Sequence, residues 1–189
     1  MKKITIIMAT MAITLVSCGN QVKGNGNDLA DIDTFMLDGP GSVYEPTEVE
    51  LGESALEAVQ DVYKAVSEAY KGNDWQEKSA QLDKKFCSED WNATVAAFLE
   101  KDRESGGLGY FEADYWVMGQ DFDAEHLHVS NFVLKEVNKD QFPWRAFISL
   151  TLHNFSDIPV EVELVYEDGY WKVDDLNQWK QDMKDYLSE

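Results

Sequence analysis

The chain has 189 residues, with 16 basic and 36 acidic side chains and a formal net charge of −20. An acid excess of this size repels phosphate backbones and anionic head groups, which excludes nucleic acid as a partner. The length suits one domain, and 6 Trp, 8 Tyr and 9 Phe supply a substantial core.

Met1-Lys2-Lys3 precede an uncharged stretch from Ile4 to Val16. A positive start and a short apolar run form the pattern of a secretory leader, too short for the ~20 apolar residues that span a bilayer. Leu15-Val16-Ser17 before Cys18 resembles the bacterial lipoprotein box. That resemblance implies a leader over 1–17, cleavage before Cys18 and acylation of Cys18, so that the lipid bilayer becomes a partner through its fatty chains. Residues 19–27, GNQVKGNGN, read as a flexible tether, and the rest of 18–50 as an acidic lead-in. Gly19, not Asp, follows the cysteine. By analogy with lipoprotein sorting this implies the outer membrane and a periplasm-facing domain, with surface display left open. The second cysteine, Cys87, then has no disulfide partner and is expected to be a buried, inert thiol.

The folded domain is expected over 51–189. Ser54-Ala55-Leu56-Glu57 has capping-box form, and Leu56, Val59, Tyr63, Val66 and Tyr70 follow at helical spacing up to Gly72. A second helix is predicted from Asp74 to Lys85. A third follows Ser88, with Trp91, Val95, Phe98 and Leu99 as its buried stripe and Gly106-Gly107 as its stop. A short strand is assigned over Tyr115 to Val117 and a longer one over His128 to Val137. Residues 144–153 and 158–166 alternate with period two, which predicts antiparallel strands with one face buried. Asp168-Gly169 predicts a two-residue hairpin turn that sets Tyr166 opposite Trp171 and Leu164 opposite Val173. A last helix, capped near Asp175, carries Leu176, Trp179, Met183 and Leu187 on one side.

Helices followed by an antiparallel meander, with the stretches DYWVMGQDF (114–122) and YWKVDDL (170–176), resemble the uncharacterised bacterial family called domain of unknown function 3828, in the cystatin-like, nuclear-transport-factor-two-like superfamily. The resemblance spans residues 52–178. It implies an α+β fold in which the N-terminal helices pack in a strongly bent antiparallel sheet around a cone-shaped cavity. It brings no established activity.

Candidate site residues follow from chemistry. Asp121, between Trp116 and Phe122, reads either as a general base at a cavity mouth, acting with Tyr115 or His128, or as a carboxylate accepting backbone hydrogen bonds at a strand corner. Tyr63, Tyr70, Trp116 and Asp121 are candidate ligand contacts, although the two tyrosines also fit a core stripe. Asp121, Asp123, Glu125, His126 and His128 crowd one segment. It has neither the glycine of a calcium loop nor zinc-ligand spacing, so a solvated loop is expected, with no metal and no cofactor. No phosphate loop or Gly-x-Ser-x-Gly elbow is present. The expected function is therefore a lipid-anchored envelope module that binds a small molecule, peptide or envelope protein without chemistry. The alternatives are a hydrolase- or isomerase-type enzyme using a pocket carboxylate, and a structural or immunity-type envelope protein.

Overall fold

The first helix begins earlier than its sequence suggests. In the computed structural model, which describes residues 45–72, 74–106 and 113–189, α1 runs Glu48–Tyr70. The capping box is Thr47 with Glu50: Thr47 Oγ1 accepts from the Glu50 N–H at 3.2 Å, and Glu50 Oε2 accepts from the Thr47 N–H at 2.9 Å. Starting there brings Leu51 and Gly52 into the buried stripe with Ala55 and Val59. Ser54 lies inside the helix, where its hydroxyl donates to the Leu51 carbonyl and accepts from Trp171 Nε1 at 2.9 Å. The leader, Cys18, the tether and most of the lead-in lie outside the described residues.

Helices α2 (Trp75–Phe86) and α3 (Glu89–Glu104) lie where the pattern puts them. Ser88 caps α3 through the Trp91 N–H at 2.9 Å. Asn92 Nδ2 donates to the Asp83 and Ser88 carbonyls, which stitches the end of α2 to the start of α3. On α3 the buried stripe is Trp91, Thr94 and Phe98, whereas Leu99 is 60% exposed. Residues 113–119 form a turn, not the short strand expected there. Asp114 and Gly119 exchange backbone hydrogen bonds, the left-handed Met118 (φ 52°) closes the loop, and Asp114 Oδ1 accepts from the Trp116 N–H at 2.8 Å.

Four strands follow as an antiparallel meander in the order β1 (His128–Asn138), β2 (Arg145–Asn154), β3 (Ser156–Glu167) and β4 (Tyr170–Leu176). The Asp168-Gly169 turn takes positive φ at both residues, 52° and 85°. It sets the expected register, with Tyr166 opposite Trp171 and Leu164 opposite Val173. On β2, Ala146, Ile148, Leu150 and Leu152 are buried and alternate with half-buried Arg145, Phe147, Ser149, Thr151 and His153. Helix α1 packs on the sheet so closely that a Cβ on Gly52 would meet Leu134 Cδ2 at 2.6 Å.

Beyond the sheet edge, the Ser88 N–H donates to the Val173 carbonyl at 2.9 Å, and Cys87 bridges to Val173. Cys87 is buried and free, and burial pushes its thiol well above the ordinary range. Helix α4 (Trp179–Ser188) closes the chain. Asp175 Oδ1 accepts from the Lys180 N–H at 3.0 Å, so this carboxylate does serve the helix start, while Leu176 ends β4 and is no part of the helix. Val43–Glu189 form one unit. Among the described residues it is α+β, with four helices, the last C-terminal, and an open four-stranded antiparallel sheet. Among the described residues, no helix is long and apolar enough to cross a membrane.

Candidate functional site

The site begins with an acid on an apolar stripe. Trp75, Leu82 and Phe86 recur at helical spacing on α2, and Asp83 falls among them, only 8% exposed. The 113–119 turn brings two donors to it. Tyr115 Oη donates to Asp83 Oδ2, and Trp116 Nε1 donates to Asp83 Oδ1 at 2.9 Å. The same turn supplies a second acid. Asp114 Oδ2 accepts from Tyr70 Oη, at the end of α1, at 2.5 Å. Burial pushes both carboxyls above the usual range, against the hydrogen bonds that favour their charged forms, and at Asp83 the neighbouring Asp114 adds to the rise. Burial, reinforced by these acids, also raises the Tyr70 and Tyr115 hydroxyls far above their ordinary value, so both remain donors.

Both acids face a cavity of about 370 Å³ between α2, α3, the turn and α4. Val95 and Phe98 of α3, Met183 and Trp179 of α4, and Tyr115 and Trp116 of the turn provide its apolar wall. The rings are fixed by mutual packing. Tyr115 meets Trp179 edge-on at 5.9 Å and Trp91 at 5.1 Å, and Trp116 lies 5.8 Å from Tyr115. A cavity of this size, mostly apolar with a few convergent polar atoms, is the form of a small-molecule site.

The residues singled out in the sequence are dispersed. Asp121 is exposed. Its backbone carbonyl, not its carboxylate, is the atom bonded in the fold, accepting from Asn154 Nδ2 at 3.1 Å. Tyr115 belongs to the cavity, where it is bound to Asp83. His128 lies on β1, its ring stacked on His153 of β2 at 4.2 Å. Thus Tyr115 is committed to Asp83 and His128 to His153, and no hydrogen bond links Asp121 to either. Of the candidate ligand contacts, Trp116 lines the cavity and Tyr70 supports it from behind through Asp114. Tyr63 lies in the core, 1% exposed, edge-on to Trp116 at 6.5 Å. From Asp121 to His126 the segment of acids and histidines is a loop, in which Asp123 accepts from His126, while His128 opens β1. No group of three or more His, Cys, Asp or Glu able to hold a metal occurs among the described residues. The residues that sequence reasoning missed are Asp83 and Asp114. The available signal was Asp83 itself, an acid on the buried stripe of an amphipathic helix.

No family model matches this chain, and no curated protein matches it significantly. A crystal structure described as a protein of unknown function from Bacteroides thetaiotaomicron is similar over 68% of this chain and 92% of its own, at 17% identity and a TM-score of 0.44.

Proposed function

We propose that this chain is a lipid-anchored envelope protein whose folded unit binds a small ligand without transforming it. One observation carries the binding half: the cavity of about 370 Å³ with an aromatic wall and two carboxyls held in place by tyrosines. The anchoring half rests on the leader pattern and on Leu15-Val16-Ser17-Cys18. The cystatin-like reading belongs to the same proposal, supported by the order of helices before an antiparallel meander. The ligand site is placed in the α2–α3–α4 cavity instead of a cone between α1 and the sheet. Val59 and Val66 of α1 and Ile148 and Leu164 of the sheet are wholly buried in one core. Indole, a neutral aromatic probe, is expected to shift the methyl resonances of Met183 and Val95 and to leave those of Val133, on β1, unmoved. Ala80→Phe, which fills the cavity from α2, is expected to abolish the shifts. If indole leaves Met183 and Val95 unperturbed, the cavity is no binding site.

A hydrolytic reading is favoured by a separate observation. His153 Nδ1 lies 2.7 Å from Asp157 Oδ1, and its Nε2 lies 2.7 Å from Ser130 Oγ. Asp157 accepts only when Nδ1 carries the proton, which leaves Nε2 free to accept from the serine, the arrangement of an activated nucleophile. Against it, the Asp157 side chain is 78% exposed, so water competes for the contact that orients the imidazole. An active relay would be labelled at Ser130 by a fluorophosphonate and lose the label in His153→Ala. The expected result is no labelling above that of the Ser130→Ala protein.

A further inference from the structure

We infer that the ligand of the α2–α3–α4 cavity is an organic cation, an amine or guanidinium carried on a planar apolar body. The inference rests on the binding reading above and adds the ligand's charge and shape to it.

Asp174 is buried, and two cations reach it: Lys180 Nζ at 2.7 Å and Arg145 at 2.8 Å. Asp90 is met by Lys180 and Lys184 at 2.9 and 2.7 Å. Asp83 and Asp114 are withdrawn from water as well, yet neither makes an ion pair among the described residues; their donors are the neutral Tyr115, Trp116 and Tyr70. Among the described residues, cations reach the acids that hold the elements together and none reaches the two that face the cavity. A buried carboxylate without a countercharge is costly, and a cation delivered from solution removes that cost.

The remaining walls fit the same ligand. Tyr115, Trp116 and Trp179 line the cavity, and aromatic rings attract a cation and stack on a planar body. Among the described residues, the groups that titrate or carry charge around the site are Tyr70 from α1, Asp83 from α2, Cys87 at the end of α2, and Asp114 and Tyr115 from the turn. Helices α3 and α4 face it with Val95, Phe98, Leu99, Trp179 and Met183. Lys101 of α3 is turned away to the Tyr186 carbonyl and ring. The net charge of −20 concentrates cations at the surface and disfavours anions.

Proton linkage gives the inference a direction in pH. Burial raises both carboxyls, so a proton neutralises them more readily than it would in water. A bound cation replaces that proton, and affinity therefore rises as pH increases through their folded values. The amine stays charged throughout, since its own pKa lies near 10.

The test uses three probes on one indole skeleton, titrated calorimetrically into the purified protein: tryptamine (cation), tryptophol (neutral) and indole-3-acetate (anion). Tryptamine is expected to bind about ten-fold or more tighter than tryptophol, with indole-3-acetate weakest, as charge-assisted contacts predict. The gap is expected to widen as pH is raised from acid to neutral, through the carboxyls' folded values, and to close in Asp83→Asn/Asp114→Asn. The pH series on the wild-type protein decides the matter should that variant fold poorly. Tryptophol binding as tightly as tryptamine, or a gap indifferent to pH, overturns the cation assignment and leaves the binding reading intact. Failure of all three probes together with indole overturns both.

Discussion

Alanine at Asp174 is expected to cost about 3–5 kcal/mol of folding stability, the loss typical of breaking a buried ion pair on one side only. Asp174 receives Lys180 and Arg145 on one oxygen and the Ser88 hydroxyl on the other at 2.6 Å. Arg145 also reaches Glu163 on β3, and Lys180 reaches Asp90 on α3. One carboxylate therefore ties β2, β4, α3 and α4 together. Its removal strands Lys180, whose side chain is only 10% exposed, beside an exposed partner alone. For a chain of this size, the melting temperature should fall by roughly 10 °C. Asp157→Ala, which removes an exposed partner of His153, should cost less than about 1 kcal/mol. Urea and thermal unfolding of the two variants check this; equal losses would show that the network does not hold the elements together. The pH dependence has a definite sign. Burial alone would raise the Asp174 carboxyl, but Lys180, Ser88 and Arg145 outweigh it and hold the group below its ordinary value. Its contribution is therefore complete above the unfolded pKa, about 3.9, and disappears only as pH falls through the lower folded value. Asp83 and Asp114 work the other way, adding stability as acidification neutralises them.

Trp116→Ala is expected to destabilise by about 3–5 kcal/mol, the range for truncating a buried large aromatic. Trp116 is 1% exposed and carries three roles. Its ring fills the space between Tyr63 and Tyr115, its indole N–H donates to Asp83, and its backbone N–H closes the Asp114 turn. Trp116→Phe keeps one aromatic ring and loses the pyrrole ring with its N–H donor, so a smaller loss than for alanine, about 1–3 kcal/mol, is expected as Asp83 forfeits a partner. The difference between the two variants separates packing from the hydrogen bond. A small loss for alanine, read by urea unfolding, would mean that the 113–119 turn is not anchored through this residue.

Much of the architecture was readable without coordinates because its causes are local. The period of the strands, the serine cap of α3 and the Asp168-Gly169 turn each act over a few residues, and the turn sets the Tyr166–Trp171 pairing by geometry alone. The misplacements are local as well. Two capping boxes compete at the start of α1, and Thr47 prevails because the longer helix also buries Leu51. Tyr115 to Val117 has strand-forming residues, yet Asp114 and Gly119 draw the segment into a turn.

What the sequence determined by itself is the four helices and the four long strands, their order, the strand register at the last hairpin and the strongly acidic composition, since these depend on neighbours in the chain and on composition. Only the tertiary structure decided which acids matter. Asp83 and Asp114 are 31 positions apart, and neither belongs to a catalytic or ligand-binding motif. They become a site because the 113–119 turn returns to α2, burying Asp83 and half-burying Asp114 beside aromatic rings, away from the lysines that reach Asp174 and Asp90. Burial and the absence of a countercharge depend on neighbours distant in the chain, and no local pattern encodes them.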